Sequence, residues 1–248
     1  MGSRKAPEWL TRWEYAHRGL HSSGVPENSL SAMNAAMAAG MGIECDIQRS
    51  LDREPMVFHD WDLERLTEGL GLTDTLSAQE LSQMRLKDSD DHILRLDHLL
   101  DAVDGQVPIL IEIKSRLGYD VERSCACAAE RLADYGGNHA VMSFDPRVGE
   151  WFAANSPETV RGMVCTDTLD LGFLSAWRAP GAIEAAKPDF LAMDIRDVPN
   201  AITTLWRASG RPLLSWTIRS AELRAHALLE VDAMISEGAG LSPEKGAV

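Results

Sequence analysis

Eight short apolar runs recur along this chain of 248 residues, and segments of helical periodicity lie between most of them. That alternation is the strongest constraint on the fold. A strand followed by an amphipathic helix is the repeating unit of a parallel sheet, whose crossovers need a dozen or more residues. The runs cover 14–18, 42–48, 107–114, 140–144, 160–165, 190–194, 213–218 and 233–236. Helical patterns cover 29–39, 120–133, 146–154, 173–186, 199–208 and 221–229. Asn28 or Ser29 is placed to cap the first of these and Ser220 the last. One further extended run, 55–59, follows Gln48 too closely for a crossover. Asp52-Arg53-Glu54 reads as a turn, so this run should return antiparallel as a hairpin. Eight strand–helix units in about 250 residues predict an α/β fold, a closed (β/α)8 TIM barrel with a small hairpin insertion after strand 2. Residues 1–248 then form one domain. An open doubly wound sheet is the rival, and no Gly-rich phosphate loop follows the first strand to favour it.

Composition narrows the partners. With 45% hydrophobic and 25% charged residues the chain is ordinary globular protein, but its net charge is -14. That charge opposes nucleic acid and anionic membrane surfaces. If such a protein handles phosphate, it must bring local positive charge of its own. Cys45, Cys125, Cys127 and Cys165 lack zinc-site spacing and are expected as free thiols in a reducing compartment. The first residues are basic without an apolar run behind them, and no stretch approaches the roughly 20 apolar residues of a membrane span. The expectation is a cytoplasmic protein with no stable membrane insertion.

Polar residues gather where strands end, the expected place for barrel chemistry. Strand 1 ends in His17-Arg18-Gly19, the hairpin strand in His59-Asp60. Side chains two apart on a strand share a face, so Glu44 and Asp46 project together, as do Glu112 and Lys114. Ile43, Ile47, Ile111 and Ile113 then face the helices, as does Cys45. Four charged groups would point into the barrel, where an unpaired charge is very costly. A buried salt-bridge network is one answer. A divalent cation is the other: Glu44, Asp46 and Glu112 form a hard-oxygen site suited to Mg²⁺ or Ca²⁺.

Five motifs in order, His17-Arg18-Gly19, Pro26-Glu27-Asn28-Ser29, Glu44-x-Asp46, Val57-Phe58-His59-Asp60 and Glu112-x-Lys114, resemble the glycerophosphodiester phosphodiesterase family. Leu63-Glu64-Arg65-Leu66-Thr67 and Ser215-Trp216-Thr217 extend the likeness over most of the chain. The resemblance implies a barrel, metal-dependent hydrolysis and sn-glycerol 3-phosphate as product. It implies that Glu44, Asp46 and Glu112 are metal ligands, and that His17 and His59 are the acid/base pair. Arg18 and Lys114 resemble phosphate-contacting groups, and Trp216 a residue lining the glycerol pocket. The chain departs from the family at Ser236-Glu237, where Thr-Asp is common; that position is expected to bear less on the chemistry. His21, His92, His98, His139 and His226 are expected to lack matching carboxylates. Asp194 looks unpartnered, Asp60 either orients His59 or closes a turn, and Glu27 shapes the first loop or lies near the site.

Small soluble glycerophosphodiesters are the expected substrate. A phospholipase-D-like reaction on lysolipids and a catalytically silent binding barrel are the alternatives. Retention of both histidines and all three carboxylates argues against the silent barrel.

Overall fold

Eight parallel strands pair edge to edge and the last closes on the first, so the barrel has no open edge. The computed structural model describes residues 5–167 and 181–242. The barrel strands are β1 (Tyr15–Ala16), β2 (Gly42–Arg49), β5 (Ile109–Ile113), β6 (His139–Ser143), β7 (Val160–Cys165), β8 (Phe190–Asp194), β9 (Leu213–Ile218) and β10 (Ala233–Ser236). They neighbour one another in that order, and β1 pairs with both β10 and β2. Helices α1 (Leu30–Ala38), α3 (Leu96–Val103), α4 (Val121–Leu132), α5 (Pro146–Asn155), α6 (Ala182–Ala186), α7 (Ala201–Ala208) and α8 (Ala221–Glu230) fill the crossovers. Ser29, not Asn28, caps α1 by accepting from Ala32 N. The earlier part of the helix expected over 173–186, with Trp177, lies outside the described residues.

The expected hairpin is β3 (Pro55–Val57), antiparallel to β2 with Ile47 opposite Val57. It is joined by β4 (Leu94–Arg95), and between them lies the short helix α2 (Ala78–Ser82). Elements α2, β4 and α3 have no counterpart among the runs expected from the sequence. Yet Leu96, Leu99, Leu100 and Val103 of α3 stand at i, i+3, i+4 and i+7 and are all buried. The insertion has a small core of its own, Met56, Phe58, Leu63, Ala78, Leu81, Leu86 and Ile93. No helix among the described residues is long and apolar enough to cross a membrane.

Strand parity divides the remaining core. Ile43, Cys45, Ile47, Ile109, Ile111 and Ile113 face outward and pack under α1, α3 and α4, while Tyr15, Leu110, Ala140, Phe190, Leu214 and Ile235 fill the interior. The turn Glu8–Thr11 reaches this interior through Leu10, whose carbonyl accepts from Tyr15 Oη at 3.0 Å. All four cysteines are free, as expected.

Large rings in a small barrel need gaps opposite them. Gly162 pairs with Phe190 in register, and a Cβ on Gly162 would lie 2.3 Å from the Phe190 ring. Gly162→Ala should therefore lower stability by roughly 1–3 kcal/mol, the range for overpacking a core. Phe190→Leu in the same chain should recover part of that loss. Denaturant unfolding of the single and double variants checks both, and an unchanged midpoint in Gly162→Ala would count against this account of the packing.

Candidate active site

β1 is only two residues long, and its shortness builds the site. It covers the edge of β2 as far as Ile43, leaving further backbone groups that must find partners. The following loop and the insertion supply them. Gly19 N donates to Glu44 O at 3.2 Å, Asp46 N donates to the Asn28 side-chain oxygen at 3.2 Å, and Phe58 N donates to Asp46 O at 3.0 Å. His17, Arg18 and Asn28 are thereby stitched along the strand whose inward face carries Glu44 and Asp46. Arg18 and Asn28 both adopt φ 56°, a region few residues other than glycine occupy. Gly19 follows at φ 77°, where a Cβ would stand 2.8 Å from that of Ala32.

Asp46 and Glu112 are register partners on β2 and β5, and Glu44 precedes Asp46 by two residues on the same face. One oxygen from each of the three lies within 4.8 Å of the others, and all three side chains are buried. Lys114 Nζ lies 2.9 Å from Glu112 and 3.5 Å from Asp46. Arg18 Nε lies 3.3 Å from Asp46, and Arg18 N donates to Glu44 at 3.0 Å. Asn28 Nδ2 adds a hydrogen bond to Asp46 at 3.1 Å.

These contacts do not balance the cluster. Burial and the charges of Asp46 and Glu112 push Glu44 well above the usual carboxylate range. Burial opposes the ionised form of Asp46 too, but His59, Lys114, Arg18 and His17 outweigh it and hold Asp46 well below that range. Burial likewise works against Lys114, and Glu112 and Asp46 more than restore its charge. One carboxylate is left short of positive charge, and three buried carboxylate oxygens are the donor set of a hard divalent cation. The residues present fit such an ion.

Each strand-end histidine is tied to a carboxylate. His17 is buried, and its Nδ1 lies 2.5 Å from Glu237 Oε2. Burial lowers its pKa despite the raising effect of Glu237. Glu237 also takes Arg219 Nε at 2.5 Å and faces His21 Nε2 at 3.4 Å. Two expectations are corrected here. Glu237 bears directly on His17, and His21 does have a matching carboxylate. Neither contact has a local signal, because the partner stands more than 200 residues away, at the end of β10, and is adjacent only once the barrel closes.

His59 Nδ1 lies 2.7 Å from Asp60, so Asp60 orients the ring. Arg65 grips Asp60 through Nε and Nη2, and reaches Glu27 at 2.7 and 2.9 Å. Glu27 accepts from Arg18 at 2.6 Å, which places it beside the site. A chain of polar contacts, His59–Asp60–Arg65–Glu27–Arg18–Asp46, thus joins one histidine to the carboxylate cluster. Asp194 is not unpartnered as expected; it accepts from Arg196 N and pairs with its guanidinium at 2.5 Å.

Across the barrel, the interior of β6 to β9 carries an apolar cluster, with the paired Asp194 at the end of β8. Trp216 packs on the interior cluster, meets Phe144 edge-on at 5.4 Å between ring centres, and donates through Nε1 to Ala192 O at 2.9 Å. Met142, Val164 and Ala192 belong to the apolar cluster on which it packs.

Known proteins resemble this chain in sequence and fold. Residues 17–239 match the glycerophosphoryl diester phosphodiesterase family. Human glycerophosphodiester phosphodiesterase 1 is 35% identical over 148 residues, covering 54% of this chain and 43% of its own. A Mycobacterium tuberculosis protein described as probable glycerophosphodiester phosphodiesterase 2 is 27% identical across 91% of this chain and 87% of its own. Alignment with that organism's probable glycerophosphodiester phosphodiesterase 1 spans 41% of each protein, less than half the relative's length. Among solved structures, an Oleispira antarctica phosphodiesterase in complex with the product sn-glycerol-3-phosphate superposes with TM-score 0.77 at 25% identity, covering 90% and 92% of the two chains. The Thermotoga maritima glycerophosphodiester phosphodiesterase, at 22% identity and TM-score 0.72, shares the fold. Barrel, site order and match together make this chain a member of the glycerophosphoryl diester phosphodiesterase family.

Proposed function

We propose that the protein hydrolyses small glycerophosphodiesters to sn-glycerol 3-phosphate and an alcohol. The observation that carries this reading is the convergence on Asp46. Glu44 and Glu112 crowd it, Arg18 and Lys114 pair with it, and Arg18 links through Glu27 and Arg65 to the Asp60 that orients His59. The product held by the Oleispira antarctica enzyme fits the same substrate class.

Glu44, Asp46 and Glu112 would hold Mg²⁺ or Ca²⁺, which when bound polarises a non-bridging phosphoryl oxygen. Arg18 and Lys114 attract the anionic diester to the mouth of an otherwise acidic protein. One histidine takes a proton from the attacking hydroxyl and the other gives one to the leaving oxygen. Each ring donates Nδ1–H to its carboxylate, Glu237 or Asp60, which fixes the tautomer and leaves Nε2 to handle the proton. Arg219 and Arg65 hold those carboxylates in turn. Trp216 and Phe144 offer the glycerol carbons an apolar wall.

One observation favours the lysolipid reaction as a second reading. Leu51, Leu70, Leu72 and Leu117 are exposed on the segments after β2, β3 and β5, where an acyl chain could rest. Turnover of glycerophosphodiesters and lysolipids, each with and without added cation, separates the two readings.

Chelation should abolish activity and Mg²⁺ or Ca²⁺ restore it; full activity in metal-free protein would end the metal reading. Glu44→Gln should weaken cation binding by at least about 100-fold, the upper range for losing a mere outer partner. Because ionised Glu44 is disfavoured where it sits, the metal-free variant should unfold at the same temperature as the parent or higher. A lower temperature would mark Glu44 as part of a stabilising salt-bridge network instead.

Alanine at His17 or His59 should each lower kcat by roughly 10²–10⁴-fold, with the cation still bound. The double variant should lose far less than the product of the two. A substrate with an acidic leaving alcohol should rescue only the variant that lacks the general acid. Near-normal kcat in either single variant removes this mechanism.

A further inference from the structure

A second group of donors adjoins the three carboxylates. One donor atom from each of His17, His21 and Glu237 lies within 4.8 Å of the others, and Glu237 Oε2 stands 2.5 Å from His17 Nδ1 and 3.4 Å from His21 Nε2. Their chemistry differs from that of the carboxylate cluster. Two imidazole nitrogens and one carboxylate oxygen suit Zn²⁺ and similar borderline ions, whereas three carboxylates suit Mg²⁺ or Ca²⁺. Glu237 is set up for this: Arg219 engages Oε1, which leaves Oε2 facing both rings. His21 is the residue the hydrolytic mechanism does not use. Its Nε2 is shielded from solvent and, among the described residues, makes no hydrogen bond, although it stands 3.4 Å from Glu237 Oε2. Ligand atoms about 2.0–2.2 Å from a tetrahedral zinc stand roughly 3.3–3.6 Å apart, so that pair already has the spacing. The 2.5 Å contact of His17 with Glu237 must open by about 1 Å as metal replaces the proton between them.

We infer that His17, His21 and Glu237 form a second cation site, selective for Zn²⁺ and chemically similar ions, whose occupancy stops turnover. Coordination uses the Nδ1 lone pair of His17. The ring's proton therefore leaves Nδ1 and, by exchange with solvent, Nε2 carries the one proton of the neutral ring. Nε2 can then no longer accept a proton, and Glu237 no longer orients the ring. The inhibition rests on the assignment of His17 to proton transfer; the binding site does not.

The test uses the full chain in saturating Mg²⁺, which fills the carboxylate cluster. Zn²⁺ is titrated by calorimetry, and Co²⁺ by its visible absorption, whose bands report nitrogen ligation. One equivalent of Zn²⁺ should bind in the presence of Mg²⁺. His21→Ala, His21→Gln and Glu237→Gln should each weaken it at least about 10-fold, and Glu44→Gln should leave it unchanged. Without zinc, His21→Ala should turn substrate over like the parent; with zinc, it should resist inhibition. Zinc binding that ignores both His21 variants, or that disappears in Glu44→Gln, would assign the ion to the carboxylate cluster and overturn the site. Zinc that binds through His21 while turnover continues would keep the site but overturn its control of activity, and with it the role given to His17.

Discussion

Three buried carboxylates at one end of a barrel repel one another, and most of what surrounds them answers that repulsion. Within 4.8 Å of one another, like charges repel by about 3 kcal/mol or more per pair even at an effective dielectric near 20. A typical hydrogen bond returns only about 1 kcal/mol net, so Asn28 and the Arg18 amide cannot offset the cluster alone. Full charges are required, and Arg18 and Lys114 supply two. Both sit close enough to Asp46 to hold it ionised, while Glu44 remains disfavoured. The imbalance that would make this arrangement a poor salt-bridge network is what suits it to a cation.

The same demand explains the odd backbone beside it. Arg18 can present its amide to Glu44 and its guanidinium to Asp46 only if the chain turns back sharply after His17. The left-handed conformation of Arg18 and Gly19 makes that turn, and the packing of Gly19 against Ala32 leaves no room for a side chain there. A longer β1 would have continued pairing along β2 and carried Arg18 past the carboxylates. Strain at Arg18 and Asn28 is held in place by hydrogen bonds to Glu44 and Asp46, the residues the loop exists to serve.

How much of this was legible in the sequence depended on distance along the chain. Strand limits at 160–165, 190–194, 213–218 and 233–236 match the structure because apolar runs between turn residues are local signals. Parity alone sufficed to turn Glu44, Asp46, Glu112 and Lys114 inward. The hydrogen-bond partner of His59 was also local, one residue on, though Asp60 alone could not be told from a turn residue. Glu237 could not be found that way. Nothing near it marks a histidine partner, and its contact with His17 exists only because β10 pairs with β1. Arg65 was visible only as part of a resembling motif, since its task of joining Asp60 to Glu27 depends on how the insertion folds. The buried positions of α3 follow the helical period, but the insertion of nearly fifty residues that precedes it interrupts the strand–helix rhythm.

The barrel mouth that results has two chemically distinct halves. The carboxylate cluster and its partners come from β1, β2, β5 and the end of β10, while β6 to β9 contribute Met142, Val164, Ala192 and Trp216, with Asp194 matched by Arg196 at the end of β8. That division follows from chain order. The charge-bearing strand ends are neighbours around the closed sheet, so their carboxylates can share two cations and, in the proposed reaction, a metal. Among the later strands Asp194 is matched locally by Arg196, so the rest of their interior face can be aromatic and aliphatic. A phosphodiester of glycerol is itself divided in this way, with an anionic centre between carbon-bearing groups. An anion alone would be served by the charged half, and an apolar ligand by the other. A molecule with both parts, lying across the two halves, uses the whole mouth.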